Sequence, residues 1–266
     1  MIDLTRDDKG KVSCYQVAAY ITVYEDIHAV QHCLRGIEKQ TYPVKEVIIV
    51  DNSAEHPLQL SSLMTKLPIV LKAFPNNLGV AGGLRVALQW AFDQGYDFLW
   101  TFDQDSIPVP NCLERLLEIY QTFHSKTYPL GIVAPTALDV RTQTIITAAN
   151  FQKDQFIGYH PINPTTCYEC DAPITSGSLI SLVAAQKVFS TSPMASLFID
   201  GVDLEYGMSL NKKGYHHLIV TQAKLYHCFG NPLTIQWLGR EKKIYQYSPI
   251  RHYYISRNYT YFALRY

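Results

Sequence analysis

Three clusters of carboxylate and imidazole side chains in this 266-residue chain have the types and spacing to hold a metal-bound phosphate and move a proton. The first is Leu99-Trp100-Thr101-Phe102-Asp103-Gln104-Asp105-Ser106, an apolar run ending in two carboxylates one residue apart. At a strand end, that spacing lets two oxygens reach one hard divalent cation, whose open positions can take a diphosphate. Taken alone, the pair is equally well explained by a helix cap at Asp103 and a solvated turn residue at Asp105. Asp51, closing the apolar run Val47-Ile48-Ile49-Val50, is a second strand-end carboxylate and favours chemistry.

The second cluster, Phe198-Ile199-Asp200-Gly201-Val202-Asp203-Leu204-Glu205, places three carboxylates within six residues at a helix entry. First-turn acids ordinarily pair with the helix dipole, which explains some of the cluster without catalysis. A helix start also holds a carboxylate rigidly enough to take a proton from an attacking hydroxyl. The third cluster is Tyr226-His227-Cys228-Phe229-Gly230. A lone histidine is more often a satisfied core residue than a ligand. Here it follows a strand-like run over 218–220 and precedes a glycine, and it could complete an Asp, Asp, His metal site.

These groups need a frame, and hydrophobic periodicity supplies one. Short apolar runs at 16–23, 47–50, 69–74 and 98–102 predict strands, and periodic segments at 26–40 and 79–95 predict helices between them. Strands alternating with helices imply a mostly parallel, doubly wound sheet whose ligand site lies beyond the carboxyl ends of its strands, where Asp51 and Asp103 fall. A helix is expected from 112 to about 123 and a strand over 132–135. A polar, hairpin-containing insertion follows over 139–170, then a strand over 176–183 and helices over 184–189 and 200–213. Asn77-Leu78-Gly79-Val80-Ala81-Gly82-Gly83 does not have dinucleotide-fingerprint spacing and follows the third strand. Its glycines still allow close backbone approach to a ligand or a neighbouring strand.

Acidic and basic residues balance at 23 each, which removes the basic field that nucleic-acid binding normally requires. From 231 to 266, Arg240, Lys242, Lys243, Arg251, Arg257 and Arg265 face Glu241 alone, so this tail carries +5 and suits an anionic partner. Its tyrosines and Trp237 interleave with the cations as at a membrane interface, or simply pack on the body. Six cysteines are too sparse for a disulfide scaffold, and Cys167-x-x-Cys170 lacks a second pair for zinc. No stretch reaches the roughly 18 apolar residues needed to span a bilayer, and residues 1–11 are charged, so a cytosolic location is expected.

Together the Asp51, Asn77–Gly83, Asp103-Gln104-Asp105, Asp200/Asp203/Glu205 and His227/Gly230 motifs, ending in Tyr253-Tyr254 and Arg257-Asn258, resemble the rhamnosyltransferase branch of the family 2 glycosyltransferases. The order and spacing match from about residue 17 to 266. The resemblance implies a GT-A fold, with a catalytic body over 1–230 and a basic, aromatic extension over 231–266. Within the body it implies a nucleotide-sugar half (12–135) and an acceptor half (136–230). It implies an inverting transfer of L-rhamnose from dTDP-rhamnose to a saccharide or lipid-diphosphate-linked saccharide. Thr22 and Asp51 would contact the base, with Asn77, Gly79, Asp103 and Gln104 completing the donor site. Asp103, Asp105 and His227 would bind Mg²⁺ or Mn²⁺, Asp203 would be the general base, Asp200 and Glu205 would support the acceptor or the helix start, and Arg257 would face a diphosphate or the acceptor. Arg85 and Met208-Ser209 depart from the pattern and bear on donor identity. A UDP-galactofuranose or UDP-hexose donor, a nucleotidyltransferase and a non-catalytic sugar-binding domain are the competing readings.

Overall fold

The structure, a computed structural model, describes residues 15–162, 165–228, 230–237 and 240–265. Its first half follows the expected alternation: β1 (Val17–Val23), α1 (Ile27–Glu38), β2 (Glu46–Asp51), β3 (Ile69–Ala73), α2 (Gly79–Gln94) and β4 (Phe98–Asp103). Each boundary has a local cause. Asp26 caps α1 by accepting the Ala29 amide at 2.9 Å, and Gly95, at φ 72°, closes α2 in the left-handed region. Alternation along β1 sends Val17, Ala19 and Ile21 into a core shared with α1, and Ala18 and Tyr20 into the opposite core beneath α2.

The second half comprises β5 (Ile107–Pro108), α3 (Cys112–Phe123), β6 (Leu130–Asp139), β7 (Ile145–Ile146), β8 (Ala148–Gln152), β9 (Gln155–Tyr159) and β10 (Cys167–Cys170). It continues through β11 (Leu179–Ser181), α4 (Leu182–Gln186), α5 (Val202–Asn211) and β12 (His216–His227) to the β13 (Asn231–Trp237) and β14 (Arg240–Gln246) hairpin and α6 (Pro249–Arg265). The main sheet runs β10-β12-β6-β11-β4-β1-β2-β3. Its β4-β1-β2-β3 part and the β12-β6 pair are parallel, while β11 lies antiparallel to both β4 and β6. Position 135/136 falls inside β6, so strands from both sides of the expected half boundary share one sheet.

The expected insertion contains the β8–β9 hairpin, whose two loop residues, Lys153 and Asp154, both adopt positive φ, as a tight turn joining twisted strands requires. Three elements differ from the sequence reading. The strand over 176–183 contracts to Leu179–Ser181, because 176–178 form the turn beneath Trp100. The following helix ends at Gln186. The run over 218–220 extends to a 12-residue strand, because a register shift between Val220 and Lys224 keeps β12 on β6 through polar residues that interrupt the hydropathy.

Cys167 packs against one core and Cys170 against the other, as residues three apart on a strand must, so these two thiols do not converge on one ion. No helix among the described residues is long and apolar enough to cross a membrane. Residues 249–265 pack against the preceding elements, burying Asn258 and Phe262, while Ile250, Tyr253 and Leu264 are 65, 58 and 85% exposed. The side chains of Arg240, Lys242 and Lys243, on which the basic-tail expectation partly rests, lie outside what the structure describes, as do residues 1–14.

Candidate active site

Parallel register places the strand-end acids together. Thr22 pairs with Asp103 across β1–β4, and Val23 with Asp51 across β1–β2. Beyond this edge opens a cleft of about 760 Å³, lined by Asp103, Gln104, Asp105, Asp200, Asp203, His227 and Arg251 among others. β12 carries His227 to it by pairing His227 opposite Asp139 at the end of β6.

Asp103, Asp105 and His227 each offer a ligand atom within 4.8 Å of the other two. The His227 Nδ1 lies 3.1 Å from Asp105 Oδ1 and 2.8 Å from the Ser106 hydroxyl, and its Nε2 lies 3.9 Å from Asp103 Oδ2. Ser106 is buried and in turn meets the Ser176 hydroxyl at 2.6 Å, and Ser176 accepts the Asp103 amide at 3.0 Å. The two serines tie both arms of the triad to one buried network, the arrangement that fixes a ligating imidazole in one tautomer and orientation. Burial raises Asp103 above the usual carboxylate range. His227 and Arg251 oppose that shift and Asp105 adds to it. Burial alone would lower His227, but the hydrogen bond to Asp105 and the charges of Asp103, Asp105 and Asp139 outweigh it and raise the imidazole. Four carboxylates, Asp103, Asp105, Asp200 and Asp203, face only His227 and Arg251 as cations among the described lining residues. A two-oxygen, one-nitrogen donor set in a site with excess negative charge fits a divalent cation such as Mg²⁺ or Mn²⁺.

Asp203 lies in the first turn of α5 and lines the cleft half-buried, with Oδ1 accepting the Leu204 amide at 2.9 Å. Desolvation pushes its carboxyl up to about 6, against the amide hydrogen bonds and with help from the charges of Asp200 and Asp103. Asp200 is held by Arg251, whose Nε lies 3.0 Å from Oδ2 and whose Nη2 lies 2.9 Å from Oδ1. Arg251 packs over the Tyr247 ring at 4.3 Å and faces the cleft. Sequence reasoning missed Arg251, Ser106 and Ser176. The basic tail was the only signal for the arginine, and nothing local marks a serine 70 residues from its hydroxyl partner.

Several expected site residues have partners within the protein. Asp51 is fully buried, and its oxygens accept the Ser53 and Leu58 amides at 3.0 and 2.7 Å, so it shapes the loop after β2. Glu205 is fully buried and accepts from Ser192, Ser209 and the Met194 amide, so it pins α5 to the preceding loop. Helical spacing explains this, because Glu205 lies two positions after Asp203 and therefore on another face of α5. Arg257 does not line the cleft; it reaches the carbonyls of Ser196 and Leu197 and the side chain of Asn258.

Thr22 is half-buried in register with Asp103, and Gln104 binds the Tyr24 backbone through both amide ends. Asn77 accepts the Gly79 amide at 2.8 Å. Gly79 is buried at φ 67° with no room for a Cβ against Phe198, so its glycine serves packing. The departure at Arg85 is structural too: its guanidinium lies over Phe189 at 4.6 Å and binds the Phe189 and Pro193 carbonyls. Ser209 belongs to the Glu205 cluster.

Among solved structures, the S. aureus TarS crystal structure aligns with a TM-score of 0.59 at 14% identity, covering 80% of this chain and 36% of TarS. GalNAc-T7 with UDP, GalNAc and Mn²⁺ aligns at 0.60 and 13% identity, covering 80% of this chain and 44% of that one. Both are glycosyltransferases of the GT-A fold, and the chain shares that fold. Hyaluronan synthase of Streptococcus pyogenes is 34% identical over 118 residues, 42% of this chain, and the chain spans only 28% of that synthase's length. The dTDP-rhamnosyl transferase RfbF of Shigella flexneri is 25% identical over 215 residues, 80% of this chain and 68% of RfbF. The family model for glycosyl transferase family 2 matches residues 19–163, from β1 past the Asp103–Asp105 pair, and the chain belongs to that family.

Proposed function

We propose that this chain transfers a sugar from a nucleotide diphosphate to a hydroxyl acceptor with inversion at the anomeric carbon, and that the donor is dTDP-rhamnose. The observation that carries the reading is the convergence of Asp103, Asp105 and His227 with the half-buried carboxylate of Asp203 in one cleft. Bound Mg²⁺ or Mn²⁺, held by Asp103, Asp105 and His227, would supply neutralisation of the leaving diphosphate. Asp203 takes the proton of the acceptor hydroxyl as its oxygen bonds to the anomeric carbon, and the electron pair of the breaking bond leaves on the diphosphate. A carboxyl near 6 is ionised at neutral pH and more basic than an ordinary aspartate, which suits this task.

Thr22 and Gln104, at the ends of β1 and β4, frame the nucleoside side, and Asp200 with Arg251 frames the acceptor side. Likeness to the dTDP-rhamnosyl transferase along 80% of the chain supports the rhamnosyl donor. A UDP-linked hexose or galactofuranose is the second reading, favoured by neighbours of the same fold solved with UDP. A lipid-linked saccharide acceptor at an anionic cytoplasmic membrane surface fits the +5 tail and the exposed apolar side chains of α6.

Incubation with dTDP-rhamnose and a panel of UDP-sugars, with Mg²⁺ or Mn²⁺, should release nucleoside diphosphate fastest from dTDP-rhamnose. Excess EDTA and Asp105→Ala should each abolish it. Full turnover in EDTA, or release from no nucleotide sugar at all, would overturn the proposal.

A further inference from the structure

The segment leading into α5 adopts left-handed backbone three times, at Phe198 (φ 65°), Asp200 (φ 62°) and Gly201 (φ 76°). Only glycine occupies this region without cost, so two of the three positions persist because their surroundings hold them there. The start of α2 holds Phe198, with the Ala81 amide donating to its carbonyl at 3.1 Å, and α6 supplies the contacts to the rest of the segment. Asn258 of α6 is fully buried, and its Nδ2 donates to the carbonyls of Leu197, Ile199 and Asp200 at 3.0, 2.8 and 2.7 Å. Its Oδ1 accepts from Arg257 Nε and Nη2 at 3.0 and 2.8 Å, and Arg257 also reaches the Ser196 and Leu197 carbonyls. Tyr254 stacks on Phe198 with centroids 4.7 Å apart, and Phe262 fills the space where a side chain at Gly201 would stand. Arg251 secures Asp200. Every residue from 196 to 201 is thus gripped by α6, immediately before the helix that carries Asp203.

We infer that Asn258 is a positioning residue: backed by Arg257, it fixes the left-handed 197–201 loop and so sets the placement of Asp203 against the acceptor hydroxyl. The grip is polar and directional, since the two amide hydrogens are shared among three carbonyls, and a hydrophobic side chain would withdraw this donor from the Ile199 and Asp200 carbonyls. The kinetic consequence rests on the proposed role of Asp203, whereas the loop consequence does not.

Asn258→Asp keeps the shape and the acceptor for Arg257 but removes the donors. In this variant the amides of residues 197–203 should exchange hydrogen at least about tenfold faster, while β1, β2 and β4 stay protected. Binding of Mn²⁺ and of thymidine diphosphate should stay within about twofold of wild type, and kcat should fall on the order of 10²-fold, as misplacement of a reacting group produces. Arg257→Ala should show the same pattern more weakly, with Arg257→Lys recovering part of kcat, and it carries the test if Asn258→Asp does not fold. Unchanged exchange over 197–203 would overturn the inference, as would loss of Mn²⁺ and nucleotide binding in the same proportion as kcat. If the wild-type protein transfers no sugar, the exchange measurement still decides the loop assignment, and the failure belongs to the proposed function.

Discussion

The Ser106 hydroxyl lies 2.8 Å from His227 Nδ1, joining the turn after β4 to the end of β12 across 121 residues of sequence. This contact orients the imidazole, and outer partners of ligating histidines typically matter about 10–100-fold for metal affinity. Ser106→Ala should therefore weaken Mn²⁺ binding by about that factor, measured by titration calorimetry, with the fold intact by circular dichroism. Unaltered affinity would separate Ser106 from the metal site.

Asp203→Asn should lower kcat by about 10²–10⁴ while leaving donor affinity unchanged. In the wild type, activity should fall as pH drops through about 6, because the protonated carboxyl cannot accept the acceptor's proton. The stability effect has the opposite sense. A folded-state value raised above the usual 3.8 means that ionisation favours the unfolded chain, so wild-type stability declines as pH rises from about 4 through 6. The ceiling is about 3 kcal/mol, from roughly two units at about 1.36 kcal/mol each. Asp203→Asn should thus melt higher than wild type at pH 7.5, with the difference vanishing below pH 4. An acid limb that survives in the Asn variant would assign it to another group.

Glu205→Ala should destabilise the protein by about 2–4 kcal/mol, because it strands the Ser192 and Ser209 hydroxyls and the Met194 amide in a buried site. Chemical denaturation measures this. Mn²⁺ and nucleotide affinities of the folded variant should be unaltered. A Glu205→Ala protein as stable as wild type would remove the residue from its buried role.

Binding to anionic vesicles should exceed binding to neutral ones and weaken with salt, since each basic residue near an anionic surface is worth about 1 kcal/mol. Charge reversal at Arg240, Lys242 and Lys243, or Leu264→Ser on the outer face of α6, should reduce co-sedimentation. Equal pelleting with both lipids would leave the tail as packed structure.

Much of the architecture from β1 to β4 is legible in the sequence, because each strand and helix there announces itself locally. The runs ending at Asp51 and Asp103 are buried on both sides, the intervening segments repeat at helical period, and Asp26 and Gly95 mark helix ends by their own backbone chemistry. Two carboxylates at a strand end, a helix entry rich in acids and a histidine before a glycine are likewise local signals, and the structure brings Asp103, Asp105, Asp203 and His227 to one cleft. What Asp51, Glu205 and Arg257 bind within the protein was not legible, because hydropathy and motif spacing report residue type, not direction. Asp51 turns its oxygens to backbone amides, Glu205 faces into the body, and Arg257 grips carbonyls.

Only the tertiary structure decided the rest. The antiparallel insertion of β11 between β4 and β6, the extension of β12 through Thr221 and Lys224, and the docking of α6 on the 197–201 loop all depend on partners far away in sequence. A polar residue in β12 reads as a break until β6 satisfies its backbone, and Arg251 reads as one tail cation among six until α6 carries it to Asp200. Sequence by itself determined which groups could do chemistry and which elements would carry them. Long-range hydrogen bonding and burial determined which of those groups face the cleft and which hold it in shape.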